Sequence, residues 1–345
     1  MRDVRFVLVG LGNLGRRFCE VVREKDALLR ERYDLALHLV GAADSRGVAY
    51  DPAGLDLSTV VALKESGGTI ADYPEAGRRD WDSPALVANA EADLLLDASP
   101  VNLSEGAEPA LSCIRTALKR GMHVATPNKG PLVVAFQELH ALAAANGVKL
   151  RFDGTVAGGL PAINLGYRDL RGAVISRIEA VPNLVTGYVM DLLSEGTPWE
   201  TAVQMAYDAG VLEGDGSWDL EGWDPAAKLT ILANATLGYP ARLDEVARAG
   251  VRSVSVAELQ AARARGERYR LLAQAELRPD GGYALSVKPV ALSPEHPLGH
   301  MGSKQMGVVY TTDIYGTITA IIDEPSPVPS ASTMLRDLID IYCEA

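Results

Sequence analysis

The sequence predicts an α/β protein: an N-terminal parallel sheet covered by helices on both faces, joined to a second, α+β unit. Three observations carry this. Short apolar, β-branched runs alternate with helical periodicities through residues 1–150. A glycine-rich turn joins the first run to the first helix. Beyond residue 150 the alternation stops, and capped helices are followed by strands of alternating polarity. At 345 residues the chain exceeds what one core usually serves. Two domains are expected, 1–150 and 151–330, with a last helix in 331–345 packing back on the first.

Val4 to Val9 is the first strand, and Gly10-Leu11-Gly12-Asn13-Leu14-Gly15 follows it. Phe18, Val21 and Val22 then recur at helical spacing as far as Leu29. Leu35 to Ala43 reads as a buried strand ending in Asp44. Asp51 to Tyr73 reads as a surface excursion with a short helix. Asp93 to Asp97 is a third strand, leading to Ala98-Ser99-Pro100. Ile114 to Arg120 is helical and stops at Gly121. His123 to Ala125 is a strand that runs into Pro127-Asn128-Lys129. A helix over Phe136 to Asn146 and a strand over Val148 to Phe152 close this half. In the second half, Thr197-Pro198-Trp199-Glu200 has the pattern of a capping box. Asp224-Pro225 opens another helix. Tyr283 to Leu292 and Gly307 to Ile322 read as antiparallel strands, and Ala331 to Tyr342 as the final helix.

Composition narrows the function classes. Hydrophobic residues make up 48% and charged residues 23%, an ordinary globular balance. A net charge of -12 opposes binding to phosphate backbones, so no nucleic-acid partner is expected. Apolar runs are strand-sized, so no membrane partner is expected either. The N-terminal run flows straight into a glycine turn and reads as a strand rather than a leader. Cys19, Cys113 and Cys343 lie far apart, with neither disulfide parity nor metal-ligand spacing. A reduced, cytoplasmic enzyme is expected.

Gly10, Gly12 and Gly15 have the spacing of a dinucleotide-binding, Rossmann-type turn. Such a turn must be tight, and its backbone must approach a pyrophosphate closely. The following helix aims its free N–H groups at that anion. Gly10, Gly12, Asn13, Leu14 and Gly15 are therefore the expected cofactor loop, and the cofactor is NAD or NADP. Asp44 stands where an acid accepts hydrogen bonds from the adenosine ribose, favouring NAD. Arg46, assisted by Lys64, could instead pair a 2′-phosphate, favouring NADP. Ser99 and Lys129 follow strand ends, where open parallel sheets bind ligands, which places Lys129 near the nicotinamide.

A second cluster lies at Glu213-Gly214-Asp215-Gly216-Ser217-Trp218-Asp219-Leu220-Glu221-Gly222-Trp223-Asp224, with Lys228 one helical turn beyond Asp224. Glycines and tryptophans among the acids do not suit a plain charged surface. Carboxylates here would hold a substrate ammonium, and a lysine would protonate a carbonyl oxygen as hydride arrives. The competing reading makes Asp224 a helix cap and Lys228 its exposed partner.

These residues resemble those of homoserine dehydrogenases, over nearly the whole chain. The resemblance rests on Gly10 to Gly15, on Asp97-Ala98-Ser99-Pro100 and on Asn128-Lys129. It rests further on Asp153-Gly154-Thr155-Val156-Ala157-Gly158-Gly159-Leu160-Pro161 and, most specifically, on Asp219-Leu220-Glu221-Gly222-Trp223-Asp224-Pro225-Ala226-Ala227-Lys228. It implies that Lys228 donates or accepts the proton and that Asp224 orients substrate. It implies that Glu213 and Asp219 bind substrate, and that Lys129 lies between cofactor and substrate. It implies a homodimer and, through backbone oxygens of Asp153, Val156, Gly158 and Leu160, a monovalent cation such as sodium. The expected reaction interconverts L-homoserine and L-aspartate 4-semialdehyde, a step of threonine and methionine biosynthesis, in a short form without a C-terminal regulatory module. Two segments depart from the family pattern, Asn183-Leu184-Val185-Thr186-Gly187-Tyr188 and Glu324-Pro325-Ser326. Two alternatives stand beside this reading: a related enzyme for another small amino or hydroxy acid, and a catalytically silent NAD(P) sensor.

Overall fold

The computed structural model describes residues 1–212 and 216–343. It divides into two compact units, Met1–Gly159 with Ser326–Ala345, and Leu160–Pro325.

The first unit is built on a seven-stranded sheet. Its strands are β1 (Arg2–Val9), β2 (Leu35–Asp44), β3 (Gly47–Tyr50), β4 (Gly77–Arg78), β5 (Leu94–Asp97), β6 (His123–Ala125) and β7 (Leu150–Arg151). They lie in the order β4-β3-β2-β1-β5-β6-β7. β2, β1, β5, β6 and β7 run parallel; β3 and β4 form an antiparallel edge that sequence periodicity did not reveal. The parallel strands are buried almost throughout, which is why they read as unbroken apolar runs. Phe6 and Phe18 meet edge to face, their rings 6.0 Å apart, and pin the Asn13–Tyr33 helix to β1. The terminal helix, Val328–Cys343, begins three residues earlier than the sequence suggests. It packs against the Asn13–Tyr33 helix and adds Met334, Leu338 and Ile341 to this core.

Strand order reverses between β1 and its neighbours β2 and β5. Register pairs Val9 with Ala43 and with Asp97, so the carboxyl ends of all three strands finish level. Gly10, Asp44 and Ala98 thus emerge at one edge, the crevice where such sheets hold ligands.

The second unit carries a six-stranded sheet in the order β13-β12-β8-β10-β11-β9. Its strands are β8 (Ile175–Val181), β9 (Ala247–Arg248), β10 (Arg268–Leu277), β11 (Tyr283–Leu292), β12 (Gln305–Thr312) and β13 (Thr317–Asp323). The run from Gly307 to Ile322 is therefore a hairpin rather than one strand. Helices Leu184–Ser194, Trp223–Thr236 and Val256–Ala264 pack on β10. Arg270 on β10 is 1% exposed. Its guanidinium makes two bonds to Asp191 and donates to the Met301 carbonyl, so the buried charge is paired.

Three local expectations change. Thr197 does not cap the Trp199–Asp208 helix; Pro198 takes the cap position and no side chain bonds there. Asp224 does not cap its helix either, because Gly222, at φ +84°, supplies the left-handed turn before Trp223. The helix expected from Phe136 starts at Lys129, with a kink at Ala135. No helix of the described residues is long and apolar enough to cross a membrane.

Candidate active site

The cofactor loop shows three different glycines. Gly10 has φ +94°, and a Cβ there would lie 2.4 Å from the Ala98 carbonyl carbon. A Cβ on Gly15 would lie 1.9 Å from the Gly10 oxygen, so helix and strand could not approach as they do. Gly12 differs: its φ is -75°, and a Cβ would meet nothing within 4 Å. The protein's own packing does not require glycine at this position. No side chain caps the helix that follows, which leaves its first N–H groups for an external acceptor. Open space beside uncapped amides fits a dinucleotide pyrophosphate.

At the end of β2, the Asp44 carboxylate is committed to the chain. One oxygen accepts from the Arg46 amide at 2.8 Å and the Thr69 hydroxyl at 2.9 Å. The other accepts from Lys64 Nζ at 2.6 Å and the Ile70 amide at 2.9 Å. Its side chain is 7% exposed and that of Lys64 is 14% exposed. Burial works to raise the Asp44 pKa. Hydrogen bonds from Lys64, Ile70, Arg46 and Thr69 outweigh it and hold the carboxyl below its ordinary value. The Arg46 guanidinium donates to the Gly67 and Gly68 carbonyls. Asp44 therefore ties down the 64–70 segment and pairs with the Lys64 ammonium.

A network that the sequence did not reveal joins the ends of β5 and β6. Asp97 is fully buried. It accepts from the Ser99 hydroxyl at 2.6 Å and from Thr126 Oγ1 at 3.2 Å. Thr126 Oγ1 accepts from the Asn128 amide at 2.9 Å. The Asn128 side chain donates to Ser99 Oγ at 3.1 Å and caps the next helix by accepting from the Gly130 amide at 3.0 Å. Burial pushes the Asp97 carboxyl up, against the bonds from Ser99 and Thr126 that favour its charged form. The effect is mechanical: two strand-end loops are stitched together, and Lys129 is set in the first turn of the Lys129–Ala145 helix. The signal was Asp97 followed by Ser99, with Thr126 level with it on the next strand.

The second unit assembles Asn183, Asp219, Asp224 and Lys228. β8 ends at Val181, and Pro182-Asn183 turns into the Leu184–Ser194 helix, whose N-cap is Asn183. Lys228 Nζ lies 2.8 Å from Asp224 Oδ2 and donates to the Pro182 carbonyl at 2.8 Å. The two side chains are 15% and 6% exposed, so the surface-pair reading fails. The Asn183 amide nitrogen donates to Asp219 at 2.5 Å and to Asp224 at 2.6 Å, while its oxygen accepts from the Thr186 amide at 3.2 Å. Thr186, the hydroxyl in the departing segment, is buried, and its Oγ1 has no hydrogen-bond partner among the described residues. Trp218 and Trp223 stack at 5.6 Å on either side of the Gly222 turn, and the Arg248 guanidinium lies 3.7 Å over the Trp223 ring. Glu213 and its neighbours 214 and 215 lie outside the described residues.

On the loop expected to hold a cation, several polar groups already have partners within the chain. The Asp153 carboxylate pairs with Arg336, whose guanidinium also donates to the Gly159 carbonyl at 3.2 Å. The Leu160 carbonyl accepts from the Ala162 amide at 2.8 Å.

The chain matches two family models: homoserine dehydrogenase over residues 161–339, and the NAD-binding domain of homoserine dehydrogenase over 10–153. It is 34% identical to a homoserine dehydrogenase of Methanocaldococcus jannaschii, covering 97% of this chain and 98% of that one. It is 32% identical to an NAD(+)-dependent homoserine dehydrogenase of Pseudomonas canavaninivorans, covering 100% and 98%. A hyperthermophilic archaeal homoserine dehydrogenase in complex with NADPH superposes with a TM-score of 0.85 at 28% identity, over 99% of this chain and 98% of that one.

Proposed function

The chain belongs to the homoserine dehydrogenase family, and from that premise we propose that Lys228 moves the proton while L-homoserine and L-aspartate 4-semialdehyde interconvert. As a member it is an NAD(P)-dependent oxidoreductase. One observation carries the assignment of Lys228. An ammonium has three N–H donors. Pro182 and Asp224 occupy two of them, which leaves one for a substrate oxygen.

Bound NAD(P) supplies or accepts the hydride at the substrate carbon. Lys228 donates its proton to the carbonyl oxygen during reduction and takes the hydroxyl proton during oxidation. Asp224 holds the Lys228 amine in place through the 2.8 Å pair. Asp219 offers a carboxylate to the substrate ammonium, a role shared with Glu213. Lys129, set at a strand end of the cofactor unit, adds a second cation for the reacting end. Asn13 and Leu14, at the start of the helix after Gly12, supply amides to the pyrophosphate.

The test is absorbance at the reduced-nicotinamide band, with homoserine and each coenzyme in turn. Turnover is expected with homoserine. Turnover with other amino or hydroxy alcohols alone would move the assignment to another substrate. Coenzyme binding without any turnover would leave a sensor.

Both coenzymes are expected to serve, because the Asp44 carboxylate is paired with Lys64 and Arg46 lies two residues on. Asp44→Ala removes the carboxylate and leaves both cations. A 2′-phosphate gains from that, so the NADP/NAD ratio of kcat/KM should rise roughly tenfold, the equivalent of about 1.4 kcal/mol. Steady-state kinetics with each coenzyme checks it. An unmoved ratio would show that the carboxylate lies away from the ribose.

A further inference from the structure

Asn183 sits in a segment that departs from the family pattern, and nothing in the sequence singled it out. The residue is 5% exposed, yet both polar atoms of its side chain are used. The amide oxygen caps the Leu184–Ser194 helix through the Thr186 amide. The amide nitrogen has two protons, one for Asp219 on the Ser217–Leu220 helix and one for Asp224 on the Trp223–Thr236 helix. The partners fix the orientation of the amide, since only the nitrogen can face two carboxylates.

Two carboxylates brought together repel, and either is relieved by turning away. Asp224 must instead stay within 2.8 Å of Lys228, and Asp219 must stay beside it. A neutral double donor between them satisfies both without adding charge beside Lys228. An arginine or lysine there would neutralise the acids and compete with the substrate ammonium. An aspartate would add a third negative charge.

We propose that Asn183 is a positioning residue for the reaction, a neutral clamp that holds Asp219 and Asp224 apart and aligned with Lys228. It touches no reacting atom and acts through the two carboxylates. The inference rests on the assignment of Lys228 and Asp224 to the reaction, and the parent's turnover of homoserine tests that assignment separately.

Asn183→Ser separates clamp from cap. Serine is as good an N-cap as asparagine, because its hydroxyl can still accept from the Thr186 amide. It cannot donate to two carboxylates at once. In Asn183→Ser, kcat/KM for homoserine should fall roughly 10- to 100-fold, the scale of a small misplacement of catalytic groups. Coenzyme affinity and Tm should stay near the parent's. Asn183→Asp supplies a second readout. Among the described residues, the groups facing Lys228 are Asp224 on its own helix, the Pro182 carbonyl and, through the clamp, Asp219. A third carboxylate beside them favours the charged ammonium. The limb of the kcat/KM–pH profile on which the lysine must lose its proton should therefore move to higher pH. The proposal is overturned if Asn183→Ser keeps parental kcat/KM. It is equally overturned if the loss in Asn183→Ser tracks a fall in Tm while Asn183→Asp retains the parent's pH profile.

Discussion

Replacing Lys228 by alanine should lower kcat for homoserine by roughly 10²–10⁴-fold, the usual share of general acid–base catalysis. The amine is buried beside Asp224, and Asp224 and the Pro182 carbonyl take two of its three donors. Its loss also leaves Asp224 buried without its cation, and breaking such a pair typically costs about 3–5 kcal/mol. Asn183 still donates to Asp224 and reduces that cost. Because lowered stability can mimic lowered rate, Lys228→Arg belongs in the same experiment. A guanidinium keeps the pairing charge but does not give up its proton near neutral pH. Arginine should therefore retain most of the parent's Tm and still lose turnover, while coenzyme titration remains unchanged in both variants. Near-parental kcat in Lys228→Arg would remove the proton-transfer role, whatever alanine does.

Gly12→Val should abolish useful coenzyme binding while leaving the fold intact. The space beside Gly12 is empty of protein atoms to 4 Å, and its φ suits any residue. A branched side chain there occupies the position from which a pyrophosphate would meet the helix N-terminus. Coenzyme Kd should rise roughly 100-fold or more, about 2.8 kcal/mol. Valine is a poorer cap than glycine, so Tm should drop by only a few degrees. Calorimetric titration with NADH and NADPH, beside a melting curve, checks both halves. Gly15→Val makes the contrast, since its side chain collides with the Gly10 carbonyl and should disrupt folding itself. Unchanged titration in Gly12→Val would place the dinucleotide elsewhere.

Much of this was legible without coordinates, and the reasons are physical. Buried parallel strands must be apolar along their whole length, so β1, β2 and β5 announced themselves. A turn that carries a backbone carbonyl against the next helix admits only glycine, so Gly10 and Gly15 stood out. Asp224 and Lys228 are one helical turn apart, and their shared face followed from helix geometry alone. Capping was less legible. Thr197 and Asp224 had suitable side chains at suitable spacings, but Pro198 and Gly222 took the cap positions.

The sequence by itself determined that this chain has a glycine-turn nucleotide unit and that Asp219, Asp224 and Lys228 belong to one cluster. Only the tertiary structure decided what each polar group is bonded to. Asp44 could be a ribose acceptor by position, yet Lys64, Thr69 and Ile70, brought up from 20 or more residues away, claim its oxygens. Arg336, from the far end of the chain, pairs with Asp153 on the loop expected to hold a cation. Asn183 lies 36 and 41 residues from the two carboxylates it joins. Hydrogen bonds reach about 3 Å and leave no periodicity in a sequence, so partners distant along the chain become visible only once the strands and helices that carry them have packed.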